Sequence, residues 1–213
     1  MLYPNSMDQI AQATLAGRRP GGRNLAMSLP NILTYGRIAA VPAVVAVLYF
    51  MQGDTARWVA FGLFVAAGIT DWLDGYLARV WEQQSTLGRM LDPIADKLLV
   101  GAVLLMLVYD RTIQGPAIFA AVIILAREIL VSGLREFLAE LNVKILVSRL
   151  AKWKTTLQMV SLGALLAGPA AERALQMPGI VAVGIALLWI AAILTLWTGY
   201  DYIKAGVARA IED

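Results

Sequence analysis

The amino-acid sequence predicts an all-α integral membrane protein with six transmembrane helices and both termini in the cytoplasm. Three observations carry that expectation. The 213 residues are 59% hydrophobic, with a mean hydropathy of +0.67, well beyond the roughly half-apolar make-up of soluble domains. From Asn31 onward, uncharged stretches alternate with charged clusters. The basic residues are also divided very unequally between the two faces that this alternation defines.

Along the chain, residues 1–27 hold Arg18, Arg19 and Arg23 but no apolar run, so they are expected to form a polar cytoplasmic tail and not a cleavable signal peptide. Residues 28–213 are expected to form one membrane domain. Its uncharged stretches cover 38–53, 58–70, 98–109, 112–126, 155–171 and 181–200. Only the last comfortably exceeds the ~18 residues that a strict span asks for. The shorter ones can cross if each helix continues into its charged flank, with that flank at the interface or lining a polar cavity. The second helix, for example, would begin at Arg57 and run through Asp71 to about Val80.

Such an arrangement puts 15 of the 18 Lys and Arg residues on one side, leaving Arg57, Arg111 and Arg173 on the other. The acids divide 12 to 3, the minority being Asp54, Asp110 and Glu172. Basic excess marks the cytoplasmic face. Trp58, Trp81, Trp153 and Trp197 fall near span ends, where an interfacial belt explains them without any chemistry.

With no Cys and no His, the chain has no disulfide, thiol nucleophile, Ser-His-Asp triad, His-based phospholipase D chemistry or ordinary zinc site. Any metal must be held by oxygen. A net charge of +3 is no nucleic-acid footprint, and no nucleic-acid partner is expected.

The chemistry concentrates in residues 71–97, DWLDGYLARVWEQQSTLGRMLDPIADK. Asp71, Asp74, Gly75 and Ala78 follow i, i+3, i+4, i+7 spacing and share one helical face. Asp92 and Asp96 are four apart and would project together on a following helix. Gly88 extends their stripe if that helix starts early enough; alternatively Asp92 is its N-cap and Pro93 lies in its first turn. Four carboxylates beside lipid need a counter-cation, because even a lenient scale charges about 2.5–3.5 kcal/mol for one ion in the membrane centre. Oxygen-only ligation suits Mg²⁺, Mn²⁺ or Ca²⁺, and paired carboxylates can hold two ions. A simpler arrangement pairs each Asp with a neighbouring Arg79, Arg89 or Lys97, but paired helical spacing of four acids favours chemistry or transport.

The pattern D-x2-D-G-x2-A-R-x8-G-x3-D-x3-D, here Asp71, Asp74, Gly75, Ala78, Arg79, Gly88, Asp92 and Asp96, resembles the signature of the CDP-alcohol phosphotransferases at every fixed position. The likeness extends outward. Pro30-Asn31-Ile32-Leu33-Thr34 with Arg37 looks like the opening of the first span in that family's bacterial phosphatidylglycerophosphate synthases. Arg127-Glu128 with Arg135, then Lys152, Lys154-Thr155-Thr156 and Gln158, looks like their acceptor region.

The resemblance implies the family's six-helix fold, a homodimer, and transfer of a phosphatidyl group from CDP-diacylglycerol to an alcohol with release of CMP. It also implies two divalent ions, Mg²⁺ or Mn²⁺, held by Asp71, Asp74 and Asp92, with Asp96 as general base that also contacts metal. Asn31, Thr34, Arg37, Gly75, Ala78, Arg79, Ser85 and Gly88 are expected beside the CDP-diacylglycerol donor. The enzyme would be a multi-pass protein of the inner (plasma) membrane with its site facing the cytoplasm.

Arg127, Arg135, Lys152 and Lys154 lie on cytoplasmic segments with few acids to offset them. Such a cluster suits a phosphorylated acceptor such as sn-glycerol 3-phosphate better than choline or ethanolamine, although attraction to anionic lipid would use the same charges. Phosphatidylglycerophosphate synthesis is therefore expected. Phosphatidylinositol-phosphate synthase and CDP-dependent cardiolipin synthase are the alternatives within the family. A divalent-cation transporter is the alternative outside it, disfavoured because a midplane site needs polar groups on several spans.

Overall fold

A computed structural model of the chain describes residues 29–80, 86–140 and 149–212, with side chains over 32–73, 90–139 and 153–200 and at 204. Among the described residues there are six α-helices and no strand: α1 Leu29–Phe50, α2 Gly53–Val80, α3 Thr86–Tyr109, α4 Ala117–Glu140, α5 Arg149–Leu175 and α6 Ile180–Glu212. The tail expected over 1–27 lies outside them.

Four helices contain a stretch long and apolar enough to cross a membrane: Ile32–Phe50, Gly53–Leu73, Ala117–Ala139 and Ile180–Tyr200. Helical continuity explains why the strict count of uncharged residues undervalued the first three. Each apolar run extends past a charge that sits at or near its end. Charges at the start of α3, Arg89, Asp92, Asp96 and Lys97, keep it from meeting the same measure, while in α5 Thr155, Thr156, Gln158, Ser161 and Pro169 lower the hydropathy of the stretch that follows its charged start. The 24 residues of α3 nevertheless extend about 36 Å at 1.5 Å per residue. Outward-facing Phe50, Trp72, Phe119, Ile129, Ile193 and Trp197 are exposed, a surface that suits lipid and not water.

Two sequence expectations change. α2 begins at Gly53, four residues ahead of Arg57. Pro93 does not mark the start of α3, nor is Asp92 its N-cap, because the helix already starts at Thr86. That early start puts Gly88, Asp92 and Asp96 on one stripe. Pro93 has no N–H to continue the helical ladder, and its own carbonyl accepts a 3.0 Å hydrogen bond from Lys97 Nζ.

Neighbouring helices form a closed ring in the order α3, α1, α2, α5, α6, α4, with α4 returning to α3. Each contributes to one apolar core, including Val44, Phe64, Val103, Ile124, Leu165 and Leu188. The closest approach is between α5 and α6, where a Cβ on Gly184 would lie 2.8 Å from Leu165 Cδ2 and one on Gly168 2.9 Å from Val181 Cγ2.

The links α1–α2, α3–α4 and α5–α6 gather at one end. There Arg57 Nη2 donates to Asp110 Oδ2 at 2.8 Å and to Thr112 Oγ1 at 2.9 Å. Arg57 Nη1 reaches the Leu165 and Leu166 carbonyls at 3.5 Å. Arg173 pairs with Asp54 across α5 and α2. Glu172 Oε1 accepts from the backbone N–H groups of Gly179 and Val181 at 3.1 and 2.8 Å, capping α6 with a carboxylate at its positive end. Gly179, at φ 108°, takes a conformation that a side chain would strain. Asp54, Arg57, Asp110, Glu172 and Arg173 on this face are therefore absorbed by structure, which leaves the opposite end for chemistry.

Candidate active site

At that opposite end, α1 and α3 start together and run side by side. Thr34 and Arg37 lie one turn apart on α1, as do Asp92 and Asp96 on α3, so the pairs meet in register. Thr34 Oγ1 donates to Asp92 Oδ1 at 2.6 Å, and Arg37 Nη1 donates to Asp96 Oδ1 at 2.7 Å. α2 arrives from the other direction and brings Asp71, whose Oδ1 is also 2.7 Å from Arg37 Nη1. Two helices thus direct three carboxylates toward the Thr34 and Arg37 side chains of a third.

Burial divides the site into floor and mouth. Arg37 is 1% exposed and Thr34 is buried, while the Asp71 and Asp96 side chains are 47% and 49% exposed. The cation therefore sits beneath acids that keep a face open. A buried charge is tolerated only when paired and hydrogen-bonded, and Arg37 meets that condition through two carboxylates. Of the neighbouring cations, Lys97 turns to a carbonyl, and the described counter-charge of Asp71 and Asp96 comes from a different helix; the Arg79 and Arg89 side chains lie outside the described residues. The donor set is all oxygen, with reachable carboxylate oxygens from two helices, so it fits a hard divalent cation.

Thr34, Arg37, Asp71, Asp92 and Asp96 are thus brought together. The side chains of Asn31, Asp74, Gly75, Ala78, Arg79 and Gly88, and all of Ser85, lie outside the described residues. Asp74, Gly75, Ala78 and Arg79 nonetheless continue α2 beyond Asp71, and Asn31 lies in the first turn of α1.

A second polar cluster occupies the same half of the bundle between α4, α5 and α6. Lys154 is buried and ion-paired to Glu128, and Arg127 Nη1 lies 3.6 Å from the same Glu128 Oε1. Arg127 Nη2 donates to Thr198 Oγ1 at 3.1 Å. Thr198 in turn donates to the Leu194 carbonyl at 2.9 Å. The expectation of few offsetting acids needs correction here, because Glu128 answers two of the cations directly. Arg135 stands exposed two turns along α4 from Arg127, and the Lys152 side chain lies outside the described residues.

Sequence reasoning missed Thr198 and Gly199. A Cβ on Gly199 would sit 3.3 Å from Arg127 Cγ and 3.5 Å from Nε, so the bare backbone lets the guanidinium pass. A Thr followed by Gly near the polar end of the most apolar stretch was the available signal.

The sequence matches the CDP-alcohol phosphatidyltransferase family model over residues 27–197. The chain belongs to this family. Among its relatives, the CDP-diacylglycerol–glycerol-3-phosphate 3-phosphatidyltransferase of Rickettsia bellii is 48% identical over 178 residues, covering 84% of this chain and 94% of that protein. The protein of the same name from Cereibacter sphaeroides is 39% identical over 208 residues, covering 83% and 94%. A cardiolipin synthase (CMP-forming) from Oryza sativa is 40% identical over 189 residues, covering 84% of this chain and 57% of the plant protein. As a phosphatidyltransferase of this family, the chain is a membrane transferase of phospholipid synthesis, and the transport alternative is set aside.

Proposed function

We propose that the protein transfers the phosphatidyl group of CDP-diacylglycerol to sn-glycerol 3-phosphate, giving phosphatidylglycerophosphate and CMP. What supports this acceptor is the 48% identity to the Rickettsia bellii enzyme over nearly its whole length. The chain is a six-span protein of the inner membrane with both termini and the site on the cytoplasmic side, and it works as a homodimer.

Asp71, Asp74, Asp92 and Asp96 are the residues that would hold Mg²⁺ or Mn²⁺. Two such ions would neutralise charge on the diphosphate. The donor's diphosphate lies over the half-exposed acids, with Asn31, Thr34, Gly75, Ala78, Arg79, Ser85 and Gly88 around its head group and its acyl chains in lipid; Arg37, expected beside the donor from the sequence, lies buried against Asp71 and Asp96 and acts on the donor through them. Arg127, Arg135, Lys152 and Lys154 hold the acceptor's phosphate by charge-assisted hydrogen bonds. Asp96 accepts the proton of the acceptor hydroxyl as its oxygen bonds to the phosphatidyl phosphorus. The bond from that phosphorus to the CMP oxygen breaks, and CMP leaves with the electron pair.

Purified protein with Mg²⁺ or Mn²⁺, CDP-diacylglycerol and glycerol 3-phosphate is expected to release CMP. Asp96→Asn should abolish release and leave metal-dependent donor binding largely intact. The likeness to the Oryza sativa enzyme supports one second reading, in which phosphatidylglycerol is the acceptor. An acceptor panel separates them: CMP released equally fast with glycerol 3-phosphate omitted, or replaced by phosphatidylglycerol or inositol phosphate, would sink the assignment.

A further inference from the structure

We infer that Arg37 is a positioning residue that shares its carboxylates with the divalent cations. It holds Asp71 and Asp96 convergent before those ions arrive, and its charge then sets how tightly they bind. The inference rests on the proposed metal role of these acids and adds a resident third cation to it.

The geometry leads there directly. One nitrogen, Arg37 Nη1, lies 2.7 Å from oxygens on two helices, so the side chain from α1 ties α2 to α3 through the acids that face the site. Arg37 is almost fully buried and its partners are half exposed, which places the guanidinium behind the carboxylates and leaves their open side for a ligand from water. A pair of acids held this close repel one another. A guanidinium beneath them offsets that repulsion, and any divalent ion entering from above meets its positive charge across the shared oxygens. A bulky planar cation in this position cannot leave without exposing a buried charge.

Linkage gives the test its sign. A group that stabilises the carboxylates and opposes the metal must lose relative importance as metal fills the site. Full-length wild type, Arg37→Gln and Arg37→Lys are purified in detergent and titrated with MnCl₂ without any lipid substrate. Free Mn²⁺ is read by electron paramagnetic resonance, and the melting temperature is followed alongside.

Arg37→Gln is expected to melt lower than wild type without Mn²⁺, to bind Mn²⁺ on the order of tenfold more tightly because a nearby positive charge is gone, and to approach the wild-type melting temperature as Mn²⁺ saturates. Arg37→Lys keeps the charge and should bind Mn²⁺ within about threefold of wild type. By linkage its melting deficit should therefore stay nearly constant across the titration. Arg37→Met, also uncharged and titrated alongside, carries the test if the Gln variant does not fold, with the same tightening and the same closing deficit expected.

In the uncharged variants, a melting deficit that stays constant across the Mn²⁺ titration, or Mn²⁺ affinity that is unchanged or weaker than wild type, would overturn the inference while leaving the metal reading intact. Wild-type protein that binds no Mn²⁺ would overturn both. Transfer activity is not read in this experiment, so an error in the acceptor assignment cannot be mistaken for either result.

Discussion

The Thr34 hydroxyl of α1 donates a 2.6 Å hydrogen bond to Asp92 of α3, although the two residues are 58 apart in sequence. Beside it, the contact of Arg37 with Asp96 spans 59. The near-constant separation means that α1 and α3 run parallel, so each turn of one helix presents its polar residue to the matching turn of the other.

Removing the Thr34 hydroxyl should therefore misplace Asp92. Thr34→Val keeps the shape and loses the donor to an acid, an interaction worth about 1.5–3 kcal/mol. The rate of CMP release should fall ten- to a hundredfold, with more Mg²⁺ needed for half-maximal activity, while Thr34→Ser stays near wild type. Unchanged Mg²⁺ dependence in the Val variant would show that Thr34 does not position Asp92.

Glu128 is the hub of the second cluster, so Glu128→Gln should strand the buried Lys154. Leaving one member of a buried ion pair alone typically costs about 3–5 kcal/mol. Detergent-solubilised protein should melt several degrees lower. Glu128→Leu combined with Lys154→Met should recover much of that stability and none of the activity. Recovery of activity in the double variant would remove Lys154 from the acceptor site.

At Gly199 the tight contact is with Arg127, while Val131 Cγ2 lies at an ordinary 3.8 Å. The Cβ of Gly199→Ala would press on Arg127 Cγ at 3.3 Å and turn the guanidinium away from Thr198. The KM for glycerol 3-phosphate should rise several-fold. Stability should hardly change, since alanine is favoured over glycine inside a helix by about 1 kcal/mol. Gly36→Ala, where an added Cβ meets nothing within 4 Å, serves as the control.

Stability and chemistry can be separated at Gly184. Its added Cβ would approach Leu165 Cδ2 and Cγ at 2.8 and 2.9 Å, and Leu165 is fully buried. Overpacking of this kind costs about 1–3 kcal/mol. Gly184→Ala should lower the melting temperature and the yield of folded protein, with kcat per folded molecule preserved. A loss of kcat at full stability would connect the α5–α6 contact to the site.

How much of this was legible beforehand depended on whether a signal repeats along the chain. Helical nature, lipid exposure and the stripe of Asp71 and Asp74 on α2 follow from hydropathy and from 3.6-residue periodicity, both local properties of a chain that must satisfy its backbone hydrogen bonds inside lipid. The start of α3 was ambiguous because Pro93 is compatible with either a first turn or a kinked interior. Sequence alone therefore left two starts open, and the helix beginning at Thr86 selects the early one, in which Asp92 is not the N-cap.

Residue types and spacing were enough to establish an all-helical membrane protein, a chain without Cys or His ligands and membership of a phosphatidyltransferase family. They could not reveal that Arg37 would lie under Asp71 and Asp96, or that Glu128 would answer both Lys154 and Arg127. Those pairings join helices distant in sequence, and a charge in lipid takes whichever partner the packing brings within a few ångströms. Coulombic attraction there is strong but blind to sequence order. The choice among several cations and fifteen acids therefore belongs to the way six helices close into a ring.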